Sequence, residues 1–309
     1  MTGTVIRSTG SWYTIRKEDG NLCEARIKGK LRLEELRTTN PVAVGDIVQI
    51  EKDEKGSWMI SGVNDRRNYI IRQSPHKKMA RHIIAANLDQ AVLVVTMATP
   101  RTSSGFIDRF LISAEAYHIP TVLVFNKQDI YKDKQIRIQN DFLEMYGLAG
   151  YQFLLVSATE KKGIENLQDL LKDKTSLIAG HSGVGKSTLI NAIVPDLEIR
   201  TAEISQKYQK GRHTTTFAEM HELPFGGNII DTPGIKEFGV LDFEANEVSH
   251  YYPEMRDRLN DCQFNDCLHL NEPGCAVLEG VADGSIHFER YKNYVNIVTD
   301  IQEQNYWER

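Results

Sequence analysis

The sequence has no run of about 18 apolar residues, which excludes a membrane-spanning helix as ordinarily read. Nothing near its start looks like a secretory leader. The chain is therefore expected in the cytoplasm, with no membrane partner. Cysteine is scarce, with only Cys23, Cys262, Cys267 and Cys275 among 309 residues. That excludes a disulfide scaffold. Three of the four fall between positions 262 and 275, which in a reducing compartment points to metal. No internal repeat and no low-complexity tract is present. There is no excess of positive charge either: 37 Lys and Arg face 42 Asp and Glu, for a net charge of −5. What remains is an ordinary globular composition, 41% hydrophobic and 26% charged, long enough for two or three domains.

The charge is uneven. Residues 242–309 carry five Lys/Arg against fourteen Asp/Glu, so the middle of the chain is basic. Residues 66–82 hold Arg66, Arg67, Arg72, Lys77, Lys78 and Arg81 and no acid. A polyanion partner follows local charge and is not excluded by the acidic total. A solvated basic linker explains the same run.

Residues 1–65 read as short strands separated by Gly10-Ser11, Asp19-Gly20-Asn21 and Val44-Gly45-Asp46, all turn chemistry. About five strands in this length suit an OB-like β-barrel, although an SH3-like barrel gives much the same pattern. Trp12, Tyr13, Arg26, Lys28, Lys30 and Arg32 are candidates for an RNA-binding face, and the aromatics equally for the core. Residues 66–82 read as a basic linker. Over 83–241, apolar strands alternate with helices, which implies a mostly parallel sheet covered on both faces. Residues 242–309 change to a mainly helical pattern, with Ser285 as a cap for a helix from Ile286 to about Tyr306.

The alternating region is organised around Gly180-His181-Ser182-Gly183-Val184-Gly185-Lys186-Ser187, with Thr188 beginning an apolar helix. Strand, glycine loop and helix in this order form a phosphate-binding loop. Its N–H groups and the helix start face one anion. Lys186 reaches the β- and γ-phosphates and Ser187 holds Mg²⁺. Three further stretches follow strands, where ligands bind in open α/β sheets. In Asn126-Lys127-Gln128-Asp129, the Asp129 carboxylate can accept both guanine N1–H and N2–H, a donor pair adenine lacks. Asn126 can read the far edge of the base and the stem of Lys127 can cover the ring. The backbone after Ser157, at Ala158, can reach guanine O6. In Asp231-Thr232-Pro233-Gly234, Asp231 is expected to hold Mg²⁺ through water and the Gly234 N–H to sense the γ-phosphate. Together these predict GTP and GDP binding.

The order is unusual. N-K-x-D and S-A precede the phosphate loop, and D-T-P-G follows it, so the nucleotide fold is cut at a different place. The segment after Gly234 then runs directly into the C-terminal region. That predicts a path by which nucleotide state reaches it.

With this order, the chain resembles the circularly permuted, small-ribosomal-subunit-dependent GTPase family RsgA, also known as YjeQ or YloQ. The resemblance covers Val44–Val48, Ile84–Asp89, Gly180–Thr188, Gly211-Arg212-His213-Thr214-Thr215-Thr216 and Cys262–Cys275. It implies an OB-fold, a permuted GTPase domain and a zinc domain. It also implies a late factor in small-subunit maturation, a slow GTPase that the subunit stimulates and that contacts rRNA. A threonine of the first switch completes the Mg²⁺ shell. Thr214, Thr215 and Thr216 are candidates, with Thr215 taken as the representative. Ile235 stands where many GTPases carry a water-orienting glutamine. An apolar side chain cannot orient water, and His213 is the nearest candidate for that role, beside Lys186 as catalytic residue. Cys262, Cys267, His269 and Cys275 offer three thiolates and an imidazole, a closed set for one structural Zn²⁺. A monomer is expected. The competing reading is a GTP-binding RNA scaffold or translation regulator without significant hydrolysis.

Overall fold

The computed structural model describes residues 1–28, 40–74, 77–197, 218–231 and 243–307. Five strands, β1 (Thr2–Ser8), β2 (Tyr13–Lys17), β3 (Leu22–Ile27), β4 (Ile47–Lys52) and β5 (Trp58–Val63), close in the order β1-β2-β3-β5-β4-β1. β3 and β5 run parallel and the other barrel pairs antiparallel. This five-stranded Greek-key closure is the OB arrangement. Period-two alternation drives it. Val5, Ile15, Cys23, Ala25, Val48, Ile50 and Ile60 point inward, while Glu24, Arg26, Gln49 and Glu51 face solvent. Tyr13 belongs to this core.

Residues 66–82, expected as a linker, carry β6 (Tyr69–Ser74) and the first part of β7 (Lys77–Ala86), paired as an antiparallel hairpin. Ile70, Ile71, Ile83, Ala85 and Ala86 are buried, enough apolar surface to order the segment. Two of its arginines are braces. Arg66 donates to both carboxylate oxygens of the buried Asp46 at 2.7 Å, and Arg67 pairs with Asp89 at 2.7 Å. Gly45 lies so close to this hairpin that a Cβ would stand 2.1 Å from the Ala86 carbonyl oxygen. Its φ of 93° also needs glycine.

The α/β domain follows as β8 (Gln90–Val95), α1 (Ser104–Ala116), β9 (Thr121–Phe125), α2 (Asp133–Leu148), β10 (Gln152–Leu155), α3 (Ile164–Leu171), β11 (Thr175–Ala179), α4 (Lys186–Ile193), β12 (Glu219–Glu222) and β13 (Asn228–Asp231). The strand order is β10-β9-β8-β11-β13-β12, parallel except for β12. Leu93, Val95, Leu123 and Phe125 pack with α1 and α2. Val92, Val94, Val124 and Ile178 pack with α3 and α4 on the other face. The sheet does not stop at β12. Glu219 pairs with Arg7 of β1, so barrel and domain share one eleven-stranded sheet.

The C-terminal region contains α5 (Pro253–Arg256), α6 (Ala276–Ala282) and α7 (Phe288–Trp307). Tyr294, Ile297, Val298 and Ile301 of α7 form its core, into which Ile112 of α1 inserts. The sequence reading placed a cap at Ser285. Its hydroxyl instead bonds the Gly280 carbonyl, and α7 starts three residues later, with His287 Nδ1 accepting the Glu289 N–H. Between α7 and α1 lies a buried ionic cluster. Arg290 donates to Asp108 at 2.6 Å and to both oxygens of Glu254 at 2.7 and 3.0 Å. Asn293 and Tyr146 donate to the Asp108 carboxylate at 2.6 and 3.0 Å, and the guanidinium sits 4.4 Å from the Tyr252 ring centroid. Burial alone would favour the neutral forms. It pushes the Asp108 carboxyl up, while the two carboxylates hold Arg290 firmly protonated.

Candidate active site and metal centre

The phosphate loop joins β11 to α4 at the carboxyl end of the sheet. Its path depends on glycine at two points. A Cβ on Gly180 would stand 2.3 Å from the Val94 carbonyl oxygen, and one on Gly185 2.5 Å from the Asn126 amide nitrogen. Their φ values are 141° and 98°. Lys186 opens α4, and its ammonium is held by the carbonyl oxygens of Gly180 and His181 at 2.8 and 2.9 Å. Burial lowers its pKa, and the Asp231 carboxylate at the end of β13 counters this. Ser187 and Thr188 follow in the same turn, both half-buried. Ser182 and Gly183 are exposed and Val184 is buried.

Asn126 is the joint of the site. It is 1% exposed. Its amide nitrogen donates to the Val184 carbonyl at 2.9 Å, and its oxygen accepts the Ala158 N–H at 3.2 Å. One side chain thus ties N-K-x-D, S-A and the phosphate loop together. The sequence reading gave Asn126 to the edge of the base and the Ala158 N–H to guanine O6. In this structure both groups are engaged with each other. Lys127, at φ 67°, reaches across the loop and donates to the carbonyls of Thr99 and Gly183 at 2.6 and 2.8 Å. Gln128 bonds the Phe125 carbonyl and Gln139, within the protein. Asp129 is exposed, and its carboxylate accepts the Ser157 hydroxyl at 2.6 Å. That bond holds its pKa below the usual carboxylate range. An ionised, oriented acceptor is what a guanine-reading group requires.

Thr214, Thr215, Thr216, His213 and Gly234 lie outside the described residues. One contact was not legible in the sequence. The His181 ring stacks on Phe106 of α1 with centroids 3.6 Å apart. Phe106 reads in the sequence only as part of an amphipathic stripe, which carries no signal of a loop partner.

The sulfurs of Cys262, Cys267 and Cys275 and a ring nitrogen of His269 lie within 4.8 Å of one another. His269 Nδ1 is 3.3 Å from Cys275 Sγ and 3.6 Å from Cys262 Sγ. Tetrahedral Zn²⁺ with bonds of about 2.0–2.3 Å brings its ligand atoms to such separations. The loop between them is folded by Glu272, which accepts the N–H groups of Leu268, Leu270 and Asn271. Burial pushes the Cys267 thiol up to about 12. A cation is the group that would favour its thiolate in this setting. The donors fit one structural zinc.

Residues 63–241 match the family model described as RsgA GTPase, and residues 2–60 that of the RsgA N-terminal domain. A protein of Bacteroides fragilis named small ribosomal subunit biogenesis GTPase RsgA is 49% identical over 306 residues, 99% of each chain. One of the same name from Christiangramia forsetii is 47% identical, covering 99% of this chain and 98% of that one. Among solved structures, YjeQ from Thermotoga maritima superposes with a TM-score of 0.78 at 36% identity, covering 97% of this chain and 98% of that one. YloQ, described as a circularly permuted GTPase, gives 0.75 at 29% identity, covering 98% of this chain and 95% of that one.

Proposed function

This chain belongs to the RsgA GTPase family, and from that premise we propose that it binds the small ribosomal subunit and assists its late maturation. It is a GTP hydrolase. The observation that carries the nucleotide reading is the Asn126 brace, which assembles three separate motifs at one end of the sheet. Lys186 and the loop N–H groups would neutralise the phosphates. Ser187, Asp231 and a threonine among 214–216 would hold Mg²⁺, whose part is to offset developing phosphoryl charge. These are hard oxygen donors suited to that ion. His213 is our candidate to orient water. The units in use are the barrel 1–65, the segment 66–82, the GTPase domain 83–241 and the zinc module 242–309, in a cytoplasmic monomer.

The barrel supplies an rRNA platform in this reading. Trp12 is 42% exposed, with the Arg26 guanidinium 3.8 Å from its ring centroid. Exposed aromatic and cation together suit stacking on unpaired bases. Lys28 is paired with Glu51, and Lys30 and Arg32 lie outside the described residues. The test is GTP turnover with and without purified small subunits. Strong acceleration is expected. Equal turnover would favour a scaffold that uses GTP as a folding ligand.

Base selection has its own test. Asp129→Asn is expected to weaken GTP by about 2–3 kcal/mol, roughly 30- to 150-fold, as a hydrogen-bonded charge is lost. Xanthosine triphosphate should gain, because an amide can donate to its 2-oxo group. Unchanged GTP affinity in a fluorescent-nucleotide titration would remove Asp129 from the site.

A further inference from the structure

The β12–β13 hairpin ends at Asp231, and it is gripped from outside the GTPase domain. Arg16 of barrel strand β2 donates through Nη1 to Glu222 at 2.8 Å and through Nη2 to Asn228 at 2.9 Å. The same Nη2 lies 3.9 Å from the Met220 sulfur. One guanidinium therefore holds both strands of the hairpin, β12 by Met220 and Glu222 and β13 by Asn228. At the other end Arg7 pairs with Glu219, Glu219 with Asp231, and Asp231 with Ile178. A single row of strand pairing runs from the barrel through Asp231 into the central sheet. The hairpin turn rests on the core: a Cβ on Gly227 would stand 2.7 Å from the Lys174 backbone nitrogen. With the turn seated there and Asp231 at the opposite end of β13, the hairpin is held at both ends, and the barrel contributes to each, through Arg16 near the turn and through the Arg7–Glu219 pair beside Asp231.

We propose that Arg16 is a positioning residue of the GTP site. Through the β12–β13 hairpin it sets where the Asp231 carboxylate stands relative to Lys186 and Ser187, and so how well the site takes up nucleotide together with Mg²⁺. The inference rests on the GTP reading above. The exposed pair with Glu222, whose side chain is 72% accessible, contributes little by itself. The bridge across two strands is what matters. The consequence is that the barrel acts on the nucleotide site through strand pairing rather than only tethering it to RNA.

The test uses the full-length chain and its Mg²⁺ dependence of fluorescent GDP and GTP binding. Arg16→Met is expected to raise the Mg²⁺ concentration giving half-maximal affinity by roughly 3- to 10-fold. Affinity in excess EDTA should stay within about twofold, a split that general loosening of the fold would not produce. Asn228→Ala removes the bridge to β13 without touching the barrel, and is expected to reproduce the shift. Glu222→Ala, which leaves the Asn228 contact in place, is expected to change it less than Arg16→Met. Amide exchange of residues 219–222 and 228–231 should quicken in Arg16→Met. If parent, Arg16→Met and Asn228→Ala share one Mg²⁺ dependence and one exchange pattern, the inference is overturned while the GTP reading stands. A parent chain that binds neither nucleotide would overturn that reading instead.

Discussion

Cys275→Ser is expected to strip zinc from the protein and to loosen the module around it. The sulfur lies at the start of α6, 3.3 Å from His269 Nδ1, and the cysteine belongs to the same apolar core as Tyr294 and Ile297. Metal binding in small modules of this kind supplies on the order of 10 kcal/mol of folding free energy. Within the ligand loop few compensating contacts are available, because Leu268 to Glu272 forms no helix or strand and is held by Glu272 and by the hydroxyls of Tyr291 and Tyr294. Cys267→Ser should behave alike. Zinc content of the purified chain and amide exchange along α7 are the measurements. Nucleotide affinity should fall far less, since the phosphate loop is held by Asn126 and Lys127 of its own domain. Stoichiometric zinc in both variants would show that other residues hold it.

Arg290→Met should cost about 3–5 kcal/mol of stability, because it leaves the Asp108 and Glu254 carboxylates buried without their cation. Arg290→Lys should recover only part. A point charge cannot occupy the fork that reaches both partners and lies against Tyr252. The informative comparison is a triple variant, Arg290→Met with Asp108→Asn and Glu254→Gln, in which no buried charge is stranded. Its urea midpoint should return most of the way to the parent. If the single Arg290→Met change leaves the midpoint where it was, the cluster is not a stabilising joint. The same cluster bears on movement. With Ile112 in the core of the zinc module and Arg256 paired to Glu115, that module and α1 form one packed body. The chain path from Gly234 therefore leads into a region already fastened to the GTPase domain. The barrel is fastened as well, by the β1–β12 pair, by Arg16, and at Val44 and Gly45, whose carbonyls accept the Ala86 N–H and the Asn87 amide.

What could be read from the sequence follows the range of the chemistry. A phosphate loop needs its glycines and lysine within eight positions, and a closed zinc site needs its donors within a short loop. Gly180 to Ser187 and Cys262 to Cys275 were therefore legible as strings. The latch was not. Asp108 and Arg290 are 182 positions apart, and each looks locally like one more charge on an amphipathic helix. Arg66 and Arg67 misled for the opposite reason. Six basic residues without an acid read as a solvated linker, but the partners of two of them, Asp46 and Asp89, lie 20 and 22 positions away. The Asn126 brace shows a third limit. The residue was found from its motif, yet its amide makes contacts inside the protein that no motif specifies.

The continuous sheet also has a consequence in time. β1 splits its far edge between two partners: Thr2 to Thr4 pair with β4, and Arg7 pairs with β12. The first pairing forms within the newly made barrel. The second must wait until Glu219 has been synthesised, on the order of ten to forty seconds later at ordinary elongation rates. Throughout translation of the GTPase domain, the end of β1 is an open edge able to pair with a neighbouring nascent chain. The residue at that point is Arg7, exposed and charged, the kind of side chain that keeps an unpaired strand from adding to another. A nascent barrel on a polysome is thus protected at the strand position that later pairs with β12.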